Sequence, residues 1–235
     1  MSTERLLIPY GGRRWPVERL DRERPDPELG PRVEIDRNAL EPLRLNNFPY
    51  AFAEPPDFNA IAATQERLDF LREHLKSYWG IWDKLALAFL DTYFEFIGIA
   101  IEAARDALAA QAAPHGGLFQ YRDWTFAALA PIPIAHLYVP ACEQASWVCV
   151  DFAFWTGGSV IALDIVGSDD SRTRRQNRER LRQAGHDVIE FPADTLRRGD
   201  ARSLLERLPP PFSSFWNGVR LPSSPFRIGS LSNDQ

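Results

Sequence analysis

Lysine is nearly missing from this chain. Of its 235 residues only Lys76 and Lys84 are lysines, and none follows Lys84. Cysteine is as scarce. Cys142 and Cys149 are too few for a metal site by themselves, at a spacing that fits no zinc pattern, and a disulfide between them is the less favoured alternative. They read as buried thiols of a reducing compartment. The four histidines, His74, His115, His136 and His186, are scattered and form no His-x-x-x-His pair, so a zinc site is not supported. His136, between Ala135 and Leu137, reads as a structural residue. No charge-free run of about 18 apolar residues exists, so no membrane span is expected. The opening residues, with Glu4 and Arg5, lack the apolar core of a signal peptide, and a cytoplasmic protein is expected. There is no internal repeat and no glycine loop suited to cradling phosphate. A net charge of −5 gives no overall pull toward nucleic acid, so that reading needs a local basic patch.

What is present is ordinary in bulk: 45% hydrophobic and 25% charged residues, as in a soluble globular protein. The length suits one medium domain, or one domain with an accessory part. Residues 1–57 are rich in proline and charge and read as an extended arm. That arm packs on its own body or clasps a partner or a second copy. A helical region follows over 58–113: one helix from Phe58 to Trp79, then a second from Lys84 to Ala113 with Asp83 as its cap. Leu118 to Val139 reads as one or two strands, with Pro131 and Pro133 placing the later part at an edge or a bulge. An α/β segment spans 114–208. The tail, 209–235, carries Phe212, Phe215 and Trp216, too apolar to hang free.

The most informative stretch is Trp147 to Phe191. In W-V-C-V-D-F-A-F-W, Val148, Val150, Phe152 and Phe154 share one face of a strand, and Cys149, Asp151, Ala153 and Trp155 share the other. In V-I-A-L-D-I-V-G, Asp164 lies on the face of Val160 and Ala162. Gly157-Gly158 between the two runs is a hairpin signal. If Thr156 pairs with Ser159, Asp151 falls opposite Asp164. Like charges so placed destabilise a sheet, so a cation, a shared proton or a nearby arginine must compensate. A longer turn would slip the register and leave two ordinary surface aspartates.

A helix follows, opened by Asp169, Asp170 or Ser171 and closed by Gly185. Arg172, Arg174, Arg175, Arg178, Arg180 and Arg182 fall on it, six arginines in eleven residues. Arginine forks match phosphate oxygens, so Arg172, Arg174, Arg175 and Arg178 are candidate nucleic-acid contacts. The plainer reading is a solvated face. His186 to Phe191 then reads as a third strand. Strand, strand, helix, strand is an α/β (α+β) layer pattern.

The phrase V-D-F-x-F, a turn, I-A-L-D-I-V-G, then R-x-x-R-x-x-x-L-R-Q-A-G-H-D-V-I-E-F resembles the core of the PD-(D/E)XK nuclease superfamily. It is most similar to the very-short-patch-repair-like endonuclease group. The resemblance covers roughly the last third of the chain before the tail. It implies a restriction-endonuclease-like core, a mixed sheet flanked by helices, with Asp151 and Asp164 as the acids that hold Mg²⁺ or Mn²⁺. It implies a further acid from the helix before the sheet, for which Glu102 and Glu95 are candidates, with Glu143 as another. A family lysine would stand two residues beyond the second acid, where this chain has Val166; Lys84 or Arg175 are candidates to replace it. The implied function is metal-dependent phosphodiester hydrolysis, on DNA ahead of RNA, with Asp151, Asp164 and Glu102 catalytic. The alternative is a degenerate nuclease-fold subunit that binds a protein partner or nucleic acid without cleaving.

Overall fold

The computed structural model of the protein describes residues 5–12, 31–48, 50, 64–79, 83–115, 120–140, 146–168 and 170–199. Cys142, Glu143, Asp169, the segment 200–208 and the tail 209–235 lie outside them, as does much of the arm. No described helix is long and apolar enough to cross a membrane.

The chain is mixed α and β. Strands β3 (Ile132–Val139), β4 (Ser146–Trp155), β5 (Val160–Val166) and β6 (Asp187–Pro192) form one sheet in that spatial order. β3, β4 and β5 run antiparallel, and β6 runs parallel to β5. The parallel pair needs a crossover, supplied by helix α4 (Arg172–Gln183). The register follows the turn: Thr156 N–H donates to the Ser159 carbonyl at 3.1 Å, Trp155 pairs with Val160 and Ala153 with Ala162. Gly157 takes φ +95°, and Gly158 does not share the positive φ, the pattern of a II′ turn. A Cβ on Gly157 would lie 2.5 Å from the Leu40 carbonyl oxygen, so the close approach of another strand of chain also demands glycine there.

Each face of the sheet is covered by a different helix. α2 (Lys84–Ala103) lies on the face of Phe152, Phe154 and Leu163. Phe89 stacks near Phe152 and Phe191, and Tyr93 near Phe154, at ring separations of 4.6–5.8 Å. The buried Tyr93 hydroxyl donates to the Leu129 carbonyl. α4 lies on the opposite face, the face of Asp151 and Asp164.

The expected first helix appears as α1 (Thr64–Ser77), and Asp83 caps α2 by accepting from Ala86 N–H at 3.3 Å. The expected single helix to Ala113 is divided: the chain breaks at Ala104 (φ −100°, ψ 10°) and resumes as α3 (Arg105–Ala112). Glu102 accepts from the Tyr121 hydroxyl at 3.0 Å and meets Arg122 at 3.4 Å, while Arg105 lies over the Tyr121 ring.

Within the stretch Leu118–Val139, residues 121–127 are not a strand. Tyr121–Ala127 forms a 3₁₀ helix, because Asp123 accepts from Gln120 N–H at 2.7 Å and from the Thr64 hydroxyl, bonds a strand would not offer. β3 is the sheet edge that Pro131 and Pro133 imply. The described parts of the arm pack on the body. β1 (Arg5–Pro9) and β2 (Arg32–Asp36) pair antiparallel, and Ile8, Tyr10, Val33, Leu45 and Phe48 are buried in the same core as the sheet. Leu43 N–H donates to Trp155, and its carbonyl accepts from Ala130 N–H. Cys149, expected to be buried, is exposed. It sits on β4 opposite His136 of β3.

Candidate functional site

Asp151 and Asp164 do meet. The β4–β5 ladder is regular up to Phe152 with Leu163. Beyond it, side chains take over the pairing: Ile165 N–H donates to Asp151 Oδ2 at 2.8 Å, and Asp151 N–H to Asp164 Oδ1 at 3.4 Å. On the other side of β4, the register sets Ile134 opposite Asp151, and Ile134 takes φ +46°. For a β-branched residue that is a strained backbone, of the kind that costs about 1–3 kcal/mol and collects at functional sites.

The compensating cation is arginine. Arg174 Nη2 donates to Asp151 Oδ2 at 2.6 Å and to Asp164 Oδ1 at 3.0 Å, so one nitrogen bridges both strands. Arg178 Nη1 reaches Asp164 Oδ2 at 3.2 Å, and its guanidinium grips Asp170 with two bonds of 3.0 and 2.5 Å. Arg178 Nε lies 3.5 Å from Glu190, which also accepts from Arg182 at 2.5 Å. The parallel register places Glu190 beside Asp164, so the acids of β4, β5 and β6 form a row facing the row of arginines on α4. The helix is held for this. Ser171 caps it by accepting from Arg174 N–H at 3.2 Å. Gly185, at φ +86°, ends it with paired bonds from Gly185 to Arg182 and from His186 to Leu181.

Electrostatics follow from burial. Desolvation pushes the Asp151 carboxyl above its ordinary pKa, and the Asp164 charge adds to that; the Arg174 guanidinium and Ile165 N–H pull it down but do not win. For Arg174, burial disfavours the charge, and the two carboxylates outweigh it and raise its pKa. Arg178 hydrogen bonds draw the Asp170 carboxyl below the usual range.

The other candidates lie elsewhere. Glu102 is a correction: it sits on α2, which covers the face of the sheet opposite Asp151, and its partners are Tyr121 and Arg122. Glu95 and Lys84 are exposed on the same helix. Alternation of the strand puts these residues and the aspartates on opposite sides of the sheet. Arg178 is also a correction. Its side chain is only 2% exposed and is committed to carboxylates, so it offers nothing to a phosphate outside. Arg174 is half-buried and likewise engaged. Arg172 is exposed, and Arg175, exposed too, lies 4.0 Å from Asp170. Val166 is half-buried at the end of β5.

Asp170, Arg182 and Glu190 were missed as members of the cluster. The signal existed for the arginines: Arg174, Arg178 and Arg182 recur every four residues and share a helix face. Among the described residues, no group of three or more His, Cys, Asp or Glu is arranged to hold a metal ion. His136 is structural, its Nε2 bonded to the Gly12 carbonyl at 2.8 Å. No protein-family model, curated protein or solved structure matches the chain.

Proposed function

We propose that this chain is a nuclease-like module that binds without cleaving, with an arginine standing where a catalytic metal ion would be held. The observation that carries the reading is the single Arg174 nitrogen bonded to both Asp151 and Asp164. The reading is supported by the β4–β5 hairpin, the α4 crossover and the parallel strand β6, which follow one another as the motifs of the resemblance do. The catalytic parts are the ones that depart: Val166 replaces the lysine, Glu102 lies on the far face, and the acids are bound to arginines. The arginines left facing solvent, Arg172 and Arg175, are suited to a nucleic-acid backbone.

The test is cleavage of DNA and RNA with Mg²⁺ or Mn²⁺, beside binding measured against salt. Binding without cutting, weakened by Arg172→Ala with Arg175→Ala, supports the module. A second reading, a metal-dependent nuclease, is favoured by one feature: the Arg174 side chain is 40% exposed. Cutting that Asp151→Asn and Asp164→Asn both abolish would establish it. In that case Asp151 and Asp164 would be metal ligands and the bound ion would polarise phosphate and acidify water.

A further inference from the structure

The helical side of the molecule holds a cleft that shares no residue with the aspartate cluster. It lies where α1, α2 and the 3₁₀ helix Tyr121–Ala127 come together, and its volume is about 610 Å³. Small-molecule sites commonly span about 300–1,000 Å³. Leu68, Gly98 and Ile101 give the cleft its apolar lining, and Gln65, Glu102, Arg122 and Thr125 bring polar groups to it.

Thr125 points to a ligand. It is 6% exposed and lines the cleft, and its hydroxyl has no hydrogen-bond partner among the described residues. A buried hydroxyl without a partner carries a desolvation cost, which a polar ligand in the cleft would relieve. Glu102 and Arg122 stand 3.4 Å apart, their side chains 50% and 63% exposed. The Tyr121 hydroxyl holds both, donating to Glu102 at 3.0 Å and accepting from Arg122 Nε at 2.9 Å. An acceptor and a donor are thus fixed side by side. Gln65 spends its amide nitrogen on Asp69 at 3.1 Å and keeps its carbonyl oxygen.

The lining selects by charge and by shape. Glu102 and Arg122 are the charged groups among its described residues, and they cancel. A ligand of either net charge is drawn to one and repelled by the other. No described lining residue is aromatic, so the cleft lacks the platform on which an unpaired nucleobase stacks. Neighbouring hydroxyl groups fit instead. Each donates and accepts, so two of them match a carboxylate and a guanidinium held side by side. A third would meet Thr125, with the carbon skeleton against Leu68 and Ile101.

We propose that this cleft binds a neutral polyhydroxylated ligand, a mono- or disaccharide. The proposal is independent of the Asp151–Asp164 cluster and of nucleic-acid binding, and it stands whether or not that reading fails.

The experiment is calorimetric titration of the full chain with glucose and with maltose. Both should bind the wild type. Gly98→Leu should abolish binding: a Cβ there meets nothing within 4 Å, so the leucine fills the cleft without a clash. Thr125→Val keeps the shape and removes the hydroxyl. It should weaken binding about tenfold, the loss of one hydrogen bond. Neither variant should lower the midpoint of thermal unfolding, since leucine improves on glycine inside a helix and valine gives up no hydrogen bond. Glucose 6-phosphate should bind more weakly than glucose. The proposal is overturned if neither sugar binds the wild type, or if Gly98→Leu binds as the wild type does. Tighter binding of uridine or of the zwitterion glycyl-leucine than of maltose overturns it too. Should Gly98→Leu fail to fold, unchanged affinity in Thr125→Val has the same force.

Discussion

The two faces of the four-stranded sheet are held in opposite ways. On the α2 face, Phe152, Phe154, Leu163 and Ile165 meet Phe89 and Tyr93, with no charge among them. On the α4 face, Asp151, Asp164 and Glu190 meet Arg174, Arg178 and Arg182. Burial of apolar area is non-directional and tolerates small shifts. A buried ion-pair network is the reverse: it adds little net stability, but breaking it leaves a charge stranded. The apolar face therefore carries the stability of the layer, and the charged face carries its specificity, fixing where α4 sits and what can approach the aspartates.

The comparison can be broken at its centre. Phe152→Ala removes a wholly buried ring in contact with two aromatic partners and should cost about 3–5 kcal/mol in urea unfolding. Arg178→Ala should cost a similar amount, about 3–5 kcal/mol, because Asp164 loses a buried partner and Asp170 loses its fork. The two should differ in salt response. Added salt should leave the Phe152 variant's deficit unchanged and shift the Arg178 variant's, since only the latter exposes uncompensated charge. Equal salt dependence would mean the faces are not distinct.

The pH dependence sharpens the same contrast. Burial lowers the His136 pKa, outweighing the Gly12 carbonyl that raises it, so the folded chain keeps His136 neutral. The unfolded chain takes up that proton near about pH 6.5, so stability is full above this value and is lost as pH falls through it. Asp151 has the opposite sign. Its raised folded pKa makes the buried charge a cost that acid relieves. His136→Gln should flatten the fall of the urea midpoint below about pH 6.5, and Asp151→Asn should steepen it. The smallest effect expected is at the helix start: Ser171→Ala should cost about 1 kcal/mol and loosen Arg174, whose amide it caps. Hydrogen exchange at the first turn of α4 would read it.

Much of the site is legible in the sequence. The turn at Gly157-Gly158 set a register, and alternation from it carried Asp151 to Asp164 because strand side chains repeat every two residues. The demand for a compensating charge followed from placing like charges opposite each other. The nature of that charge was not legible. Arginines on a surface helix read alike whether they face water, phosphate or acid, and only the crossover that laid α4 over the aspartate face decided. Glu102 failed for the same reason in reverse: helical spacing says nothing about which face of a sheet the helix will cover.

The sequence by itself determined strands β4, β5 and β6, the hairpin register, the cap of α2 and the meeting of the two aspartates, because each depends on neighbours close along the chain. Only the tertiary structure decided that Arg174 and Arg178 balance those aspartates, that Glu190 joins them, and that α2 stands on the other side. Those facts depend on how layers stack, and stacking is fixed by contacts between residues far apart in sequence.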